Sequence, residues 1–73
     1  MNLYRVSIRF DYKAKSYRFS ESETFHVAAA TAVKALKRAY TLADKSESCD
    51  EDCRLQTATR LELLDENFHA SGR

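Results

Sequence analysis

Polar and apolar residues alternate most strictly from Tyr4 to Tyr12. Tyr4, Val6, Ile8, Phe10 and Tyr12 are apolar or aromatic, and Arg5, Ser7, Arg9 and Asp11 between them are polar. Successive side chains on a strand point to opposite faces, so this period of two predicts a half-buried β-strand with one face for a core and one for water. The alternation lapses at 13–16 and resumes with Tyr17 and Phe19 against Arg18 and Ser20. It keeps its parity to Phe25 and Val27, although Glu21 and Glu23 interrupt the apolar side. Two arrangements fit: one long second strand, or two short strands flanking a bulge. Either makes an antiparallel hairpin of 3–12 and 16–27. The sequence has no Pro, and its single Gly is Gly72. Two-residue hairpin turns favour Gly or Asn at positive φ, so longer loops or type I turns are expected between the elements.

The period changes after Val27. Thr31 is suited to cap a helix over 31–44, because its hydroxyl can accept from a free amide of the first turn. Ala32, Ala35, Leu36, Ala39, Tyr40 and Ala43 form one apolar stripe, with Lys34, Lys37, Arg38, Thr41 and Lys45 opposite. The many alanines predict a close approach of helix to sheet, with Leu36 and Tyr40 as the bulky contacts. Residues 45–54 are polar and acidic and read as a loop or a short extra helix. Residues 55–66 form a third strand, in which Thr57, Thr59, Leu61 and Leu63 share one parity and Ala58, Arg60, Glu62 and Leu64 the other. Residues 67–73 are a polar tail. The order is ββαβ: an α+β fold in one small domain, one helix packed on a three-stranded, mainly antiparallel sheet. Its topology is either a truncated β-grasp or half of a split α/β sandwich.

Size limits what such a chain can do. A domain of 73 residues buries about 60% of the surface its unfolded chain exposes, which leaves a thin core and little room for an enclosed active site. Its apolar share of 44% and charged share of 32% fit a globular domain. No apolar run reaches the roughly 20 residues of a membrane span, and Arg5 and Arg9 interrupt any leader-like apolar region, so a cytoplasmic protein without a membrane partner is expected.

The net charge of +1 hides a polarity along the chain. Residues 1–45 hold nine Lys/Arg and four Asp/Glu, whereas 46–66 hold two Lys/Arg and seven Asp/Glu. Arg5, Arg9 and Arg18 should line the outer face of the hairpin and offer a nucleic-acid reading. The basic residues of the helix lie on the opposite side and do not add to that patch. Tyr4, Phe10 and Tyr12 point into the core, so the stacking platforms of single-strand binders are missing beside the arginines. Glu47, Asp50, Glu51 and Asp52 form an acidic stretch suited to a basic groove on a protein partner, where complementary charge steers encounter and sets specificity. An exposed sheet edge offers a second route to a partner strand or to a homodimer.

Catalytic and metal chemistry have little support. The sequence holds no glycine-rich phosphate loop and no nucleophile–histidine–acid arrangement, and neither an enzymatic role nor a cofactor is expected. Cys49 and Cys53 are compatible with a disulfide, a metal site or two free thiols. Zinc sites need four ligands and more often use a two-residue gap, and His26 and His69 are the only other soft ligands. The three acids between the cysteines disfavour a reactive thiolate.

The segment Val27-Ala28-Ala29-Ala30-Thr31, followed by Ala35 and Leu36, together with Tyr4-Arg5-Val6-Ser7-Ile8-Arg9-Phe10, resembles small ββαβ proteins of bacteriophages and mobile elements. Some of those are anti-CRISPR proteins, which inhibit a Cas effector by direct binding. The resemblance spans residues 3–40, carries over no binding residue, and implies a non-enzymatic protein-binding inhibitor of a bacterial defence complex. The alternative is a nucleic-acid-binding domain that uses the outer arginines.

Overall fold

The computed structural model describes residues 1–68. The elements are β1 (Asn2–Ala14), β2 (Tyr17–Ala29), α1 (Ala32–Asp44) and β3 (Cys53–Asp65). The sheet order is β2-β1-β3, and β1 pairs antiparallel with both neighbours. β2 and β3 are therefore parallel to each other, with α1 in the crossover between them and β1 inserted in the gap. This is a split βαβ unit. A β-grasp would set the first and last strands parallel, and here they are antiparallel.

β1 is the central strand, as its alternation requires. Tyr4, Val6, Ile8, Phe10 and Tyr12 are all buried, and Val27, Ala29, Ala35, Ala39 and Ala43 complete the core. No buried residue among those described is polar or charged. Thr31 caps α1, its Oγ1 accepting from the Lys34 amide at 3.2 Å. Three methyl groups at four-residue spacing, Ala35, Ala39 and Ala43, form the ridge that lies on the sheet. Leu36 and Tyr40 flank it half-buried, and Tyr40 Oη accepts from the Ala58 amide at 2.8 Å. Ala32 is exposed, not part of the buried stripe. It sits in the first turn, beyond the point where the helix meets the sheet.

Three expectations need correction. β1 and β2 close in a two-residue turn, Lys15-Ser16, without Gly or Asn, and Lys15 takes a positive φ of 53°. The unbroken β1–β2 register from Asn2↔Ala29 to Ala14↔Tyr17 fixes the chain ends so tightly that Lys15 accepts the left-handed conformation. β2 is one long strand, the first of the two arrangements its alternation allowed. The bulges fall instead on β3, where the register shifts at Leu3/Tyr4, Ser7/Ile8 and Asp11/Tyr12. Each shift flips the strand's parity, so Cys53, Gln56, Ala58, Leu61 and Leu63 all oppose core residues of β1 although no single parity joins them. β3 also starts at Cys53, two residues before the expected 55, and ends at Asp65. Residues 69–73 of the expected tail lie outside the described residues.

Phe10→Ala should cost about 3–5 kcal/mol in urea melts, as truncation of a fully buried aromatic does, and Arg9→Ala on the other face no more than about 0.5 kcal/mol. Lys15→Gly should stabilise by up to about 1 kcal/mol by relieving the positive φ, a gain partly offset by the freer unfolded chain.

Candidate functional site

The cover on the sheet ends before the sheet does. α1 spans 13 residues, about 20 Å at about 1.5 Å per residue, whereas each strand of 13 residues spans about 43 Å at about 3.3 Å per residue. The loop after α1 extends the cover. Tyr12 Oη donates to the Ser48 carbonyl, and the Lys13 amide donates to the Asp52 carbonyl at 3.0 Å. Beyond that loop the hairpin end projects with no further cover. Phe19 lies opposite Tyr12 and Tyr17 opposite Ala14, all on the core side of the sheet. Tyr17 is 63% exposed and Phe19 44% exposed. Their rings form a ladder rooted in the core: Tyr12 and Phe19 stack at 4.8 Å, and Tyr17 tilts against Phe19 at 6.0 Å. The sequence reading missed this pair. Strand alternation marks which face a side chain takes, and only the length of α1 against β2 reveals that the face is bare there.

The acidic loop is built, not loose. The Asp50 carboxylate accepts from the Asp52 amide at 2.9 Å, the Asp50 carbonyl accepts from the Cys53 amide at 3.1 Å, and the Glu51 carbonyl accepts from Arg54 Nη1 at 2.7 Å. These bonds spend backbone groups and one oxygen of Asp50, and leave the Glu51 carboxylate exposed. The loop enters β3 at Cys53, opposite Tyr12, so Asp50, Glu51 and Asp52 share one end of the sheet with the aromatic ladder. Glu47 is exposed on the side where the Ser46 hydroxyl donates to the Glu23 carboxylate.

The predicted basic residues do not form one group. Arg18 lies opposite Lys13 at the hairpin end, on the outer face. Arg9 stands mid-strand, paired with Asp11 at 3.3 Å. Arg5 lies toward the far end of the sheet and donates to Glu62 at 2.9 Å, with Arg60 sharing the same carboxylate at 3.5 Å. The Arg5 bond holds the Glu62 carboxyl below its ordinary pKa and raises that of the Arg5 guanidinium. Two of the three arginines thus already have carboxylate partners, and among the described residues Arg18 forms no ion pair.

Cys49 and Cys53 are both free thiols. Gln56 Nε2 donates to the Cys49 sulfur at 3.1 Å. Burial first, and then the neighbouring Cys49, push the Cys53 thiol up; Asp50 adds less, so the acids between the cysteines are the lesser cause. Tyr12 is likewise raised, chiefly by burial, and stays a neutral hydrogen-bond donor. The described residues contain no group of three or more His, Cys, Asp and Glu side chains placed to hold a metal; His69 lies outside them. Among the described residues no helix is long and apolar enough to cross a membrane.

The chain matches no protein-family model, and no curated protein or solved structure matches it either.

The Arg5–Glu62 pair gives a pH test. A carboxyl whose folded pKa lies below its unfolded one contributes stability above the unfolded value and loses it as pH falls through the folded one. Glu62→Gln should therefore be destabilised relative to the wild type at neutral pH. Urea melts across a pH series should show that deficit closing as the pH falls through the carboxylate range. Added salt should shrink it too, because the pair is solvent-exposed and screened.

Proposed function

We propose that this chain is a non-catalytic protein-binding module whose anchor is the aromatic ladder of the hairpin end. The observation that carries the reading is a pair of solvent-exposed rings, Tyr17 and Phe19, stacked on the buried ring of Tyr12. Exposed aromatics held in one conformation lose little entropy on binding, and Tyr, Trp and Arg dominate interface hot spots. The two strands position the rings, and Tyr12, fixed by its bond to Ser48, sets their base. The carboxylates of Asp50, Glu51 and Asp52 supply a charged rim at the same sheet end as this apolar centre, with Arg18 on the other face of the hairpin, and an apolar centre with a polar rim is the usual anatomy of a protein interface.

A protein fits this surface better than a nucleic acid does. Lys13, Lys15 and Arg18 would attract phosphate, but the acidic loop at the same sheet end repels it. Arg5 and Arg9, which the nucleic-acid reading needs, are engaged by Glu62 and Asp11. The resemblance of β1 and the β2–α1 junction to small ββαβ proteins of bacteriophages and mobile elements, some of which are anti-CRISPR proteins, nominates a Cas effector as the partner to try first, with this chain as its inhibitor.

Immobilised protein incubated with bacterial lysate should retain a stoichiometric partner. Tyr17→Ala and Phe19→Ala should each weaken that complex by about tenfold or more, about 1.4 kcal/mol, in a competition assay. Reversal of Asp50, Glu51 and Asp52 to Lys should also abolish binding while circular dichroism stays unchanged. Arg5→Glu, far from the hairpin end, should leave the complex intact. A single-stranded oligonucleotide shifted at low salt and released steeply by added salt, with no protein partner retained, would assign the surface to nucleic acid instead.

A further inference from the structure

At the opposite end of β2 from the aromatic ladder, a groove of about 430 Å³ runs between the strand and α1. His26, Val27 and Ala28 form its strand side, and Lys37, Arg38 and Leu42 its helix side. It continues past Leu42 toward Phe25 and Glu23.

β2 is an edge strand, hydrogen-bonded only to β1. The Arg38 guanidinium donates to the Ala28 carbonyl, which marks that carbonyl as facing away from β1. Outward-facing backbone groups recur at every second residue of an antiparallel strand, so His26 and Thr24 present theirs on the same side. The edge is not uniform along its length. Glu21 and Glu23 stand on the core side of β2, opposite Phe10 and Ile8. Inward-pointing charges on an edge strand oppose pairing with another strand. Thr24–Ala28, which borders the groove, carries no such charge. Along that stretch the groove has an apolar floor, Val27 and the 43% exposed Leu42, and a cationic wall, Lys37 and Arg38.

We propose that this groove binds an extended acidic peptide segment of another protein, which adds as a fourth strand to Thr24–Ala28. An aliphatic side chain of the peptide packs against Leu42, and its carboxylates face Lys37 and Arg38. A peptide amide takes over the Ala28 carbonyl from Arg38, and the released guanidinium pairs with a peptide carboxylate. Backbone pairing gives such a complex its affinity, and the alternate side chains give it specificity. A second copy of this chain is a poor occupant, because it would bring Lys37 and Arg38 against their own counterparts.

A randomised heptapeptide library displayed on phage, panned against the folded full-length chain, tests this without knowledge of the natural partner. The expected peptides are enriched in Asp or Glu beside an aliphatic residue. Titrated into isotope-labelled protein, they should shift the amide signals of Thr24–Ala28 and of the Lys37–Leu42 turn. Lys37→Glu and Leu42→Asp should each weaken binding at least tenfold, and N-methylation of the pairing peptide amide should abolish it. If Leu42→Asp fails to fold by circular dichroism, Lys37→Glu decides alone, because that side chain is exposed. Recovery of no binder, binders without acidic enrichment, or shifts confined to Tyr17–Phe19 or to the outer sheet face would overturn the proposal.

Discussion

A helix advances about 1.5 Å per residue and a strand about 3.3 Å, so a 13-residue helix cannot cover a sheet of 13-residue strands. The bare aromatic end of the hairpin follows from that mismatch. α1 shields the half of the sheet that holds Val6, Ile8 and Val27, and the loop 45–52 carries the cover as far as Tyr12. Past that point the same apolar alternation continues into water, and Tyr17 and Phe19 have only each other and Tyr12 to stack on. The molecule is correspondingly flat and long, 47 × 22 × 14 Å.

The core is thin in a second sense, because α1 contributes mainly methyl groups to it. Ala35, Ala39 and Ala43 let the helix lie close on β1, so β1 supplies most of the apolar volume. That places the burden of stability on one strand and leaves the flanking strands free to be irregular. β3 uses this freedom: its bulge at Ser7/Ile8 returns Leu61 to the core side, whereas its bulge at Asp11/Tyr12 sets Gln56 there and leaves Leu55 exposed. The bulges also break up the regular spacing of outward-facing backbone groups along this 13-residue edge strand. β2 is guarded differently, by Glu21 and Glu23 on its core side, with Glu23 held by the Ser46 hydroxyl.

Legibility in the sequence tracks how local the determining physics is. The parity of β1 was readable because burial on one face and solvent on the other act on every residue in turn. Thr31 was readable as a cap because its partner, the Lys34 amide, is three residues away. The Lys15-Ser16 turn was misread because turn chemistry is a local preference and the long β1–β2 register overrides it. β3 was misread because a bulge is set by what the partner strand needs opposite Ile8 and Tyr12, and its own alternation carries no trace of it. The acidic loop and Arg18 were picked out by charge alone, and no local pattern announced that both share a sheet end with two exposed rings.

Charge, too, changes meaning once it is placed. The outer sheet face carries Arg5, Arg9, Lys13, Arg18 and Arg60, which in a list reads as a basic patch. In space, Glu62 lies between Arg5 and Arg60, and Asp11 beside Arg9, so the middle and far end of that face are internally compensated. An external anion would have to displace those carboxylates to use the same guanidinium groups. Compensated pairs hold a face rigid and discourage nonspecific polyanions, whereas cations without a carboxylate partner attract specific ones. Among the described residues the latter include Lys13, Lys15 and Arg18 at the hairpin end, and Lys37 and Arg38 along the groove beside β2. Both places also hold exposed apolar surface, Tyr17 and Phe19 on the other face of the hairpin end in one and Leu42 in the other. Apolar area contributes affinity while the charge selects the partner, and neither does both alone.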